Sequence, residues 1–271
     1  MALPVALQLY SVRDDVAKDF TGTLKKVKEM GYDSVELAGF AGKEVSELKK
    51  ILEDAGLKAI SGHVPFDAFV NDRDKVFSEY GSLGCKYLAI PWLDTKIAPG
   101  GENFKSIIPK IRQIGEDAKA AGITLLYHNH DFEFRKTDGE YGLDILYDSI
   151  PAEFLATQID TCWAKVAGLD PAEYVRKYKG RAPVVHLKDF IMEKDVSGNL
   201  YELIDNDDSG GDKKGFEFRP LGQGMQDMPK ILDACTYAEA EWVVVEQDES
   251  VTCPPMEAAR LSREYLKSLG W

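Results

Sequence analysis

Between residues 19 and 30, apolar side chains return every three or four positions, at Phe20, Leu24, Val27 and Met30, with Lys25, Lys26, Lys28 and Glu29 between them. That is the stripe of a helix with one buried face. Val45, Leu48, Ile51 and Leu52 repeat it over 43–55; Phe104, Ile107, Ile108, Ile111 and Ile114 repeat it over 102–121. A recurring phrase sets the rhythm: a helix-like segment, a glycine, then a short apolar run. It reads KEM-GYDSVEL, EDA-GLKAISGHV, GSL-GCKYLAIPW and KAA-GITLLYHNH, with Gly31, Gly56, Gly84 and Gly122 at the junctions. Glycine takes the left-handed conformation that ends a helix at little cost. The runs after it are short and rich in Val, Ile, Leu and Tyr, as strands buried on both faces are.

VALQLY at the start, EFLATQID (153–160), APVVHLKD (182–189) and EWVVVEQD (241–248) complete eight expected strands. Helices are expected at 141–149, 170–179, 226–239 and 254–269 as well. Strict alternation over this length predicts an α/β fold with a parallel sheet. Eight units favour a closed (β/α)8 TIM barrel, one domain over residues 1–271, rather than an open doubly wound sheet. The open sheet would call for a glycine-rich phosphate loop, and neither GxGxxG nor GxxxxGK[ST] occurs. Residues 190–224, after the seventh expected strand, exceed an ordinary connection. With DNDDSGGDKKG inside, they are expected to form a lid over the barrel mouth.

Composition narrows the partners. Among 271 residues, 46 acids against 33 bases give a net charge of −13. That field repels a phosphate backbone and an anionic membrane surface, so neither nucleic acid nor membrane is an expected partner. The N-terminus reads as a strand rather than a secretory signal. Cys85, Cys162, Cys235 and Cys253 are far apart with no CxxC pair, which fits reduced thiols in a cytoplasmic protein.

In a parallel barrel the C-terminal strand ends share one mouth, and chemistry lies there. The polar residues at those ends are Gln8, Tyr10, Glu36, His63, Trp92, His128, His130, Glu133, Asp160, His186, Lys188, Glu246 and Asp248. All four histidines of the chain are among them. Imidazoles mixed with carboxylates suit a borderline divalent ion such as Zn²⁺, Mn²⁺ or Co²⁺. Asp160 follows a strand, where an aspartate often caps a helix; with the next helix expected only near Asp170, a site role is favoured. Alternation puts Val184, His186 and Lys188 on one face. Glu246 ends a wholly apolar run, where a carboxylate is costly without a cation beside it.

These residues carry a resemblance over essentially the whole chain. QLYSVR, VELAGF, SGHVPF, YHNHDFEF, DTCWAKVAGLDP, VVHLKDF, PLGQG and VVVEQD resemble the sugar phosphate isomerase/epimerase-like proteins of the xylose-isomerase-like TIM-barrel superfamily. Their HNHxFEF subgroup looks close to inosose dehydratases and to enzymes acting on 3-keto-sugars and their glycosides. The resemblance implies one divalent ion (Mn²⁺, Zn²⁺, Co²⁺ or Mg²⁺) held by Glu, Asp, His and Glu. Asp160, His186 and Glu246 match the last three. The first falls in YHNHDFEF, on Glu133 or on His128, with Glu133 favoured because two facing carboxylates suit proton transfer.

It further implies a sugar or keto-sugar substrate and an enediolate. Glu133, Glu246 or His130 would move protons. Lys188, His63, His128 and Glu36 would contact substrate, with Trp92 and Trp163 either stacking on a sugar face or packing the mouth. Homo-oligomers are common among such relatives. The leading expectation is a metal-dependent isomerase or epimerase. The first alternative is a lyase, either a dehydratase or a keto-glycoside-cleaving enzyme, sharing the first step. The second alternative is a non-catalytic sugar-binding barrel.

Overall fold

The computed structural model describes residues 2–193 and 215–271. Its strands, in chain order, are β1 (Val5–Gln8), β2 (Ser34–Leu37), β3 (Ala59–His63), β4 (Tyr87–Ile90), β5 (Thr124–His128), β6 (Lys136–Thr137), β7 (Glu140–Tyr141), β8 (Ala156–Asp160), β9 (Val184–Leu187), β10 (Asp189–Met192), β11 (Phe216–Arg219) and β12 (Trp242–Val245). Eight of them close a parallel barrel in the order β1-β2-β3-β4-β5-β8-β9-β12, and each lies inside a run expected from the sequence. The pairs β6–β7 and β10–β11 are small antiparallel hairpins that follow β5 and β9.

The helices are α1 (Arg13–Lys18), α2 (Phe20–Met30), α3 (Val45–Ala55), α4 (Phe66–Ser82), α5 (Ile108–Ala120), α6 (Gly142–Ser149), α7 (Thr161–Val166), α8 (Pro171–Lys177), α9 (Met228–Tyr237) and α10 (Pro255–Ser268). Helix α2 buries Phe20, Leu24 and Val27, and α3 buries Leu48, Ile51 and Leu52, as their stripes require. Gly31 and Gly56 close these helices with φ of 92° and 66°. The helix expected over 102–121 starts later. Phe104–Ser106 is a 3-10 turn, and α5 begins where Pro109 sits in its first turn. Proline lacks the N–H that an earlier start would require.

The barrel floor is apolar and built of small and medium side chains, among them Ala6, Ala89, Leu126, Ala156, Val184 and Val244. One alternation further along the same inward faces, the chain turns polar: His128 follows Leu126, Gln158 and Asp160 follow Ala156, His186 follows Val184, and Glu246 follows Val244. The floor keeps water away from one side of these groups, and register aligns them laterally. Gln8 pairs with Glu36, Glu36 with Ser61, His128 with Gln158, and Asp160 with His186.

Of the 190–224 insertion, the described parts form the β10–β11 hairpin and the loop back to α9. The rest of that expected lid, residues 194–214, lies outside the described residues.

Candidate functional site

Four buried side chains converge at the mouth: His128 from the end of β5, Asp160 from β8, His186 from β9, and Glu246 just past β12. One donor atom of each lies within 4.8 Å of the others. His63, from β3, forms a second grouping of the same kind with His128 and His186. Each imidazole contacts another: ring centroids are 4.9 Å apart for His63–His128, 4.7 Å for His128–His186 and 5.2 Å for His128–His130.

Asp160 does two things at once. Its Oδ1 accepts from the backbone N–H groups of Cys162 and Trp163, at 2.8 and 3.3 Å, and so caps α7. The expectation that no helix starts here is corrected: TCWAKV forms a helix too short to show a stripe. Oδ2 faces the barrel axis, 3.7 Å from His128 Nε2 and 3.0 Å from Lys188 Nζ.

Lys188 is 1% exposed. Its ammonium stands 3.0 Å from Asp160, 3.1 Å from Glu246 and 2.9 Å from Asp248. Burial disfavours its charge, but these three carboxylates overcome that and hold its pKa well above the lysine range. The ammonium also lies over the rings of Trp163 (5.5 Å) and Phe218 (5.7 Å). Phe218 comes from β11, so the hairpin supplies part of this wall, packed with Phe190, Phe216 and Trp163.

His186 lies between two carboxylates. Nδ1 is 2.8 Å from Glu246 Oε2, and Nε2 is 2.7 Å from Glu36 Oε1. Burial opposes its charge, yet Glu36 and Glu246 raise its pKa to about 10. His128 is the opposite case. Burial, then the neighbouring His186 and His63, keep it well below the imidazole range, hence neutral. Burial alone would raise the pKa of Glu246, but Lys188 and His186 hold it well below the carboxylate range.

Glu36 is fully buried beneath the cavity and does not line it. It accepts from Gln8 Nε2 at 2.7 Å, Ser61 Oγ at 2.5 Å and Gln158 Nε2 at 2.6 Å. Sequence reasoning gave Ser61 and Gln158 no role. The one signal was polarity at an inward position of an apolar strand, with Gln158 two residues before Asp160.

Glu133 is buried but is not brought to the four-donor group. It sits in a 3-10 turn, Phe132–Phe134, that folds back on β5. Oε1 accepts from Tyr127 Oη at 3.0 Å and Oε2 from the His130 N–H at 2.7 Å. His130 itself faces the cavity, with Nδ1 3.9 Å from Glu133 Oε1 and its ring stacked on Phe132.

The cavity holds about 400 Å³. His63, His128, His130, Lys188, Glu246 and Asp248 form its polar side; Tyr10, Pro65, Pro91 and Trp92 form the other. Tyr10 and Trp92 are 44% and 38% exposed, enough for a ligand to cover. Trp163 is fully buried behind Lys188, where the capped α7 packs it, and does not line the cavity.

The donors at this mouth fit a divalent cation. Two imidazoles and two carboxylates, all buried, are the mixed set that such an ion takes. Asp160 Oδ2 is buried without a hydrogen bond, although Lys188 lies beside it. An oxygen so placed is suited to an ion.

Comparison with known proteins bears on the fold and the family. An inosose dehydratase of Clostridium perfringens is 28% identical over 274 residues, covering 88% of this chain and 89% of the relative. A solved sugar phosphate isomerase/epimerase from Parabacteroides distasonis superposes with a TM-score of 0.79 at 24% identity, covering 98% of each chain. A probable 3-DHS dehydratase from Bacillus anthracis superposes with a TM-score of 0.73 at 13% identity, covering 98% of this chain and 99% of its own. At these identities the two structures speak for the fold. Residues 24–269 match the family described as xylose isomerase-like TIM barrel, and the chain belongs to that family of enzymes.

Proposed function

We propose that this protein is a metal-dependent lyase that removes water from a keto-sugar or keto-cyclitol, beginning with proton abstraction beside the carbonyl. The observation that carries this reading is the placement of Glu133. Epimerisation moves a proton between two faces of a substrate and would be served by a facing carboxylate pair such as Glu133 and Glu246. Both oxygens of Glu133 are instead engaged by Tyr127 and His130, and His128 takes the place beside Asp160 and His186. The similarity to inosose dehydratases points the same way.

His128, Asp160, His186 and Glu246 would hold the ion. Bound there, a divalent cation supplies a Lewis acid for the substrate carbonyl and for the negative charge that develops next to it. His130 lines the cavity, and imidazole is the side chain whose ordinary pKa suits proton transfer near neutrality. It takes the proton from the carbon next to the carbonyl. The C–H electron pair becomes the new C=C bond as the C–O bond to the neighbouring carbon breaks. His130 returns its proton to the departing oxygen, so water leaves and the side chain is restored.

Glu133, behind His130, accepts from its backbone N–H and so fixes the turn that carries the ring. Lys188, held charged by Asp160, Asp248 and Glu246, serves as a fixed positive donor to substrate oxygens rather than as an acid. Among the described residues the cavity is lined by one lysine and no arginine, with Glu246 and Asp248 opposing added negative charge. An uncharged substrate suits this lining better than a phosphate ester.

The test is ¹H NMR in D₂O, with ultraviolet absorption, of Mn²⁺-loaded protein and an inosose. Elimination yields an enone and loss of water. Deuterium incorporation without an enone would replace this reading by epimerisation.

A further inference from the structure

Glu36 touches no part of the cavity, yet five polar groups from four other strands point at it: Gln8, Ser61, His63, Gln158 and His186. We infer that Glu36 is a positioning residue that sets which ring nitrogen of His128 faces the cation; this rests on the metal site proposed above.

The chain of reasoning starts from the carboxylate, which when ionised only accepts hydrogen bonds. Gln158 lies 2.6 Å from Glu36 Oε2, so the group it turns toward Glu36 is its NH₂. Its carbonyl oxygen then points the other way, toward His63 Nε2 at 2.8 Å and His128 Nδ1 at 3.2 Å. An amide oxygen is an acceptor, so both ring nitrogens carry hydrogen. In the neutral form that a metal ligand must take, His128 bears its proton on Nδ1 and presents a bare Nε2. That nitrogen is the one 3.7 Å from Asp160 Oδ2, an approach of lone pairs that a cation between them would make favourable.

His186 Nε2 also lies 2.7 Å from Glu36 Oε1, an ionic contact without hydrogen-bond alignment, while Nδ1 bonds Glu246. One buried carboxylate thus orders His128 through an amide and places negative charge beside His186. Outer partners of this kind commonly set a histidine's tautomer and tune metal affinity.

Two measurements test this. In metal-free protein with ¹⁵N-labelled histidine, two-bond ¹H–¹⁵N correlations should show His128 as the Nδ1–H tautomer. In Glu36→Gln, residue 36 can itself donate, Gln158 is free to turn over, and His128 should move to Nε2–H. Mn²⁺ affinity by calorimetry should fall about 10- to 100-fold. Gln158→Met keeps Glu36 and removes only the amide; it should shift the His128 tautomer and weaken Mn²⁺ binding even if Glu36→Gln does not fold. A wild-type His128 in the Nε2–H form, or unchanged Mn²⁺ affinity in a folded variant, would overturn the inference. If the wild type binds no Mn²⁺, the proposed function falls, while the metal-free tautomer still decides the role of Glu36.

Discussion

Lys188 Nζ lies 3.0 Å from Asp160 Oδ2, at the edge of the very donor set that suits a divalent ion. The ammonium therefore acts as a resident counter-charge. Removing it in Lys188→Met leaves Asp160, Glu246 and Asp248 without that cation. Breaking a buried pair from one side costs about 3–5 kcal/mol. The variant should lose roughly that much stability when metal-free and regain much of it in saturating Mn²⁺, with tighter Mn²⁺ binding than wild type. Urea denaturation with and without Mn²⁺ checks this; equal losses under both conditions would refute it.

His130 and Glu133 divide one task unequally. His130→Gln removes the proposed proton carrier and should lower kcat by about 10²- to 10⁴-fold, the usual worth of a general acid–base. Glu133→Gln keeps an acceptor for Tyr127 and for the His130 N–H, so its loss should be smaller. Steady-state rates across pH 5–9 in both variants distinguish the roles.

Asp189, next to Lys188, receives four backbone N–H groups, from Phe190, Gly222, Gly224 and Gln226. Gln226 in turn donates to the carbonyls of Thr161 and Lys188. This binds the PLGQG turn to the backbone of the site. Gly224 allows the approach, since a Cβ there would lie 2.1 Å from Asp189 Oδ1. Asp189→Ala should cost about 2–4 kcal/mol, from several buried donors left without an acceptor. Amide hydrogen exchange over 221–226 should accelerate, and unchanged exchange would show that the carboxylate does not hold the turn.

Asp170 offers a pH test away from the site. It caps α8 through the Ala172 and Glu173 N–H groups. A hydrogen bond from Lys230, with these caps, lowers its pKa below the ordinary 3.8. A depressed carboxylate stabilises the fold above its unfolded pKa, and the contribution disappears as pH falls through the folded one. Asp170→Ala should cost about 1 kcal/mol at pH 7. The gap should narrow below pH 3.8. Paired urea titrations at pH 7 and pH 3 measure it.

The barrel was legible because each unit carries its own punctuation, a striped helix, a glycine and a short apolar run. Asp160, His186 and Glu246 were legible because alternation along a strand fixes which way a side chain points, and an inward charge demands company. The direction of Glu133 was not legible, for a local reason. The residues after β5 leave the strand and curl into a 3-10 turn, so alternation no longer tells their direction. Trp163 was left open between stacking and packing, because the short α7 that buries it carries no stripe. Ser61 and Gln158 stayed silent because their importance lies in contacts to Glu36, from residues 25 and 122 positions away.

The barrel closes where β1 meets β12, with Val5 beside Val243 and Leu7 beside Val245. Two further bonds stitch the same seam, from Gln247 N to Ser11 Oγ and from Arg13 Nη1 to the Asp248 carbonyl. Glu246 and Asp248 thus join His186 and Lys188 only when the two ends of the chain meet. Contacts of such sequence separation form late, since the loop they close must first be ordered. A chain stalled before β12 has most of its floor but leaves Lys188 and His186 without two acidic partners. A cation that recognises only the finished mouth would stabilise the closed state by mass action, making the site a latch on the last step of folding.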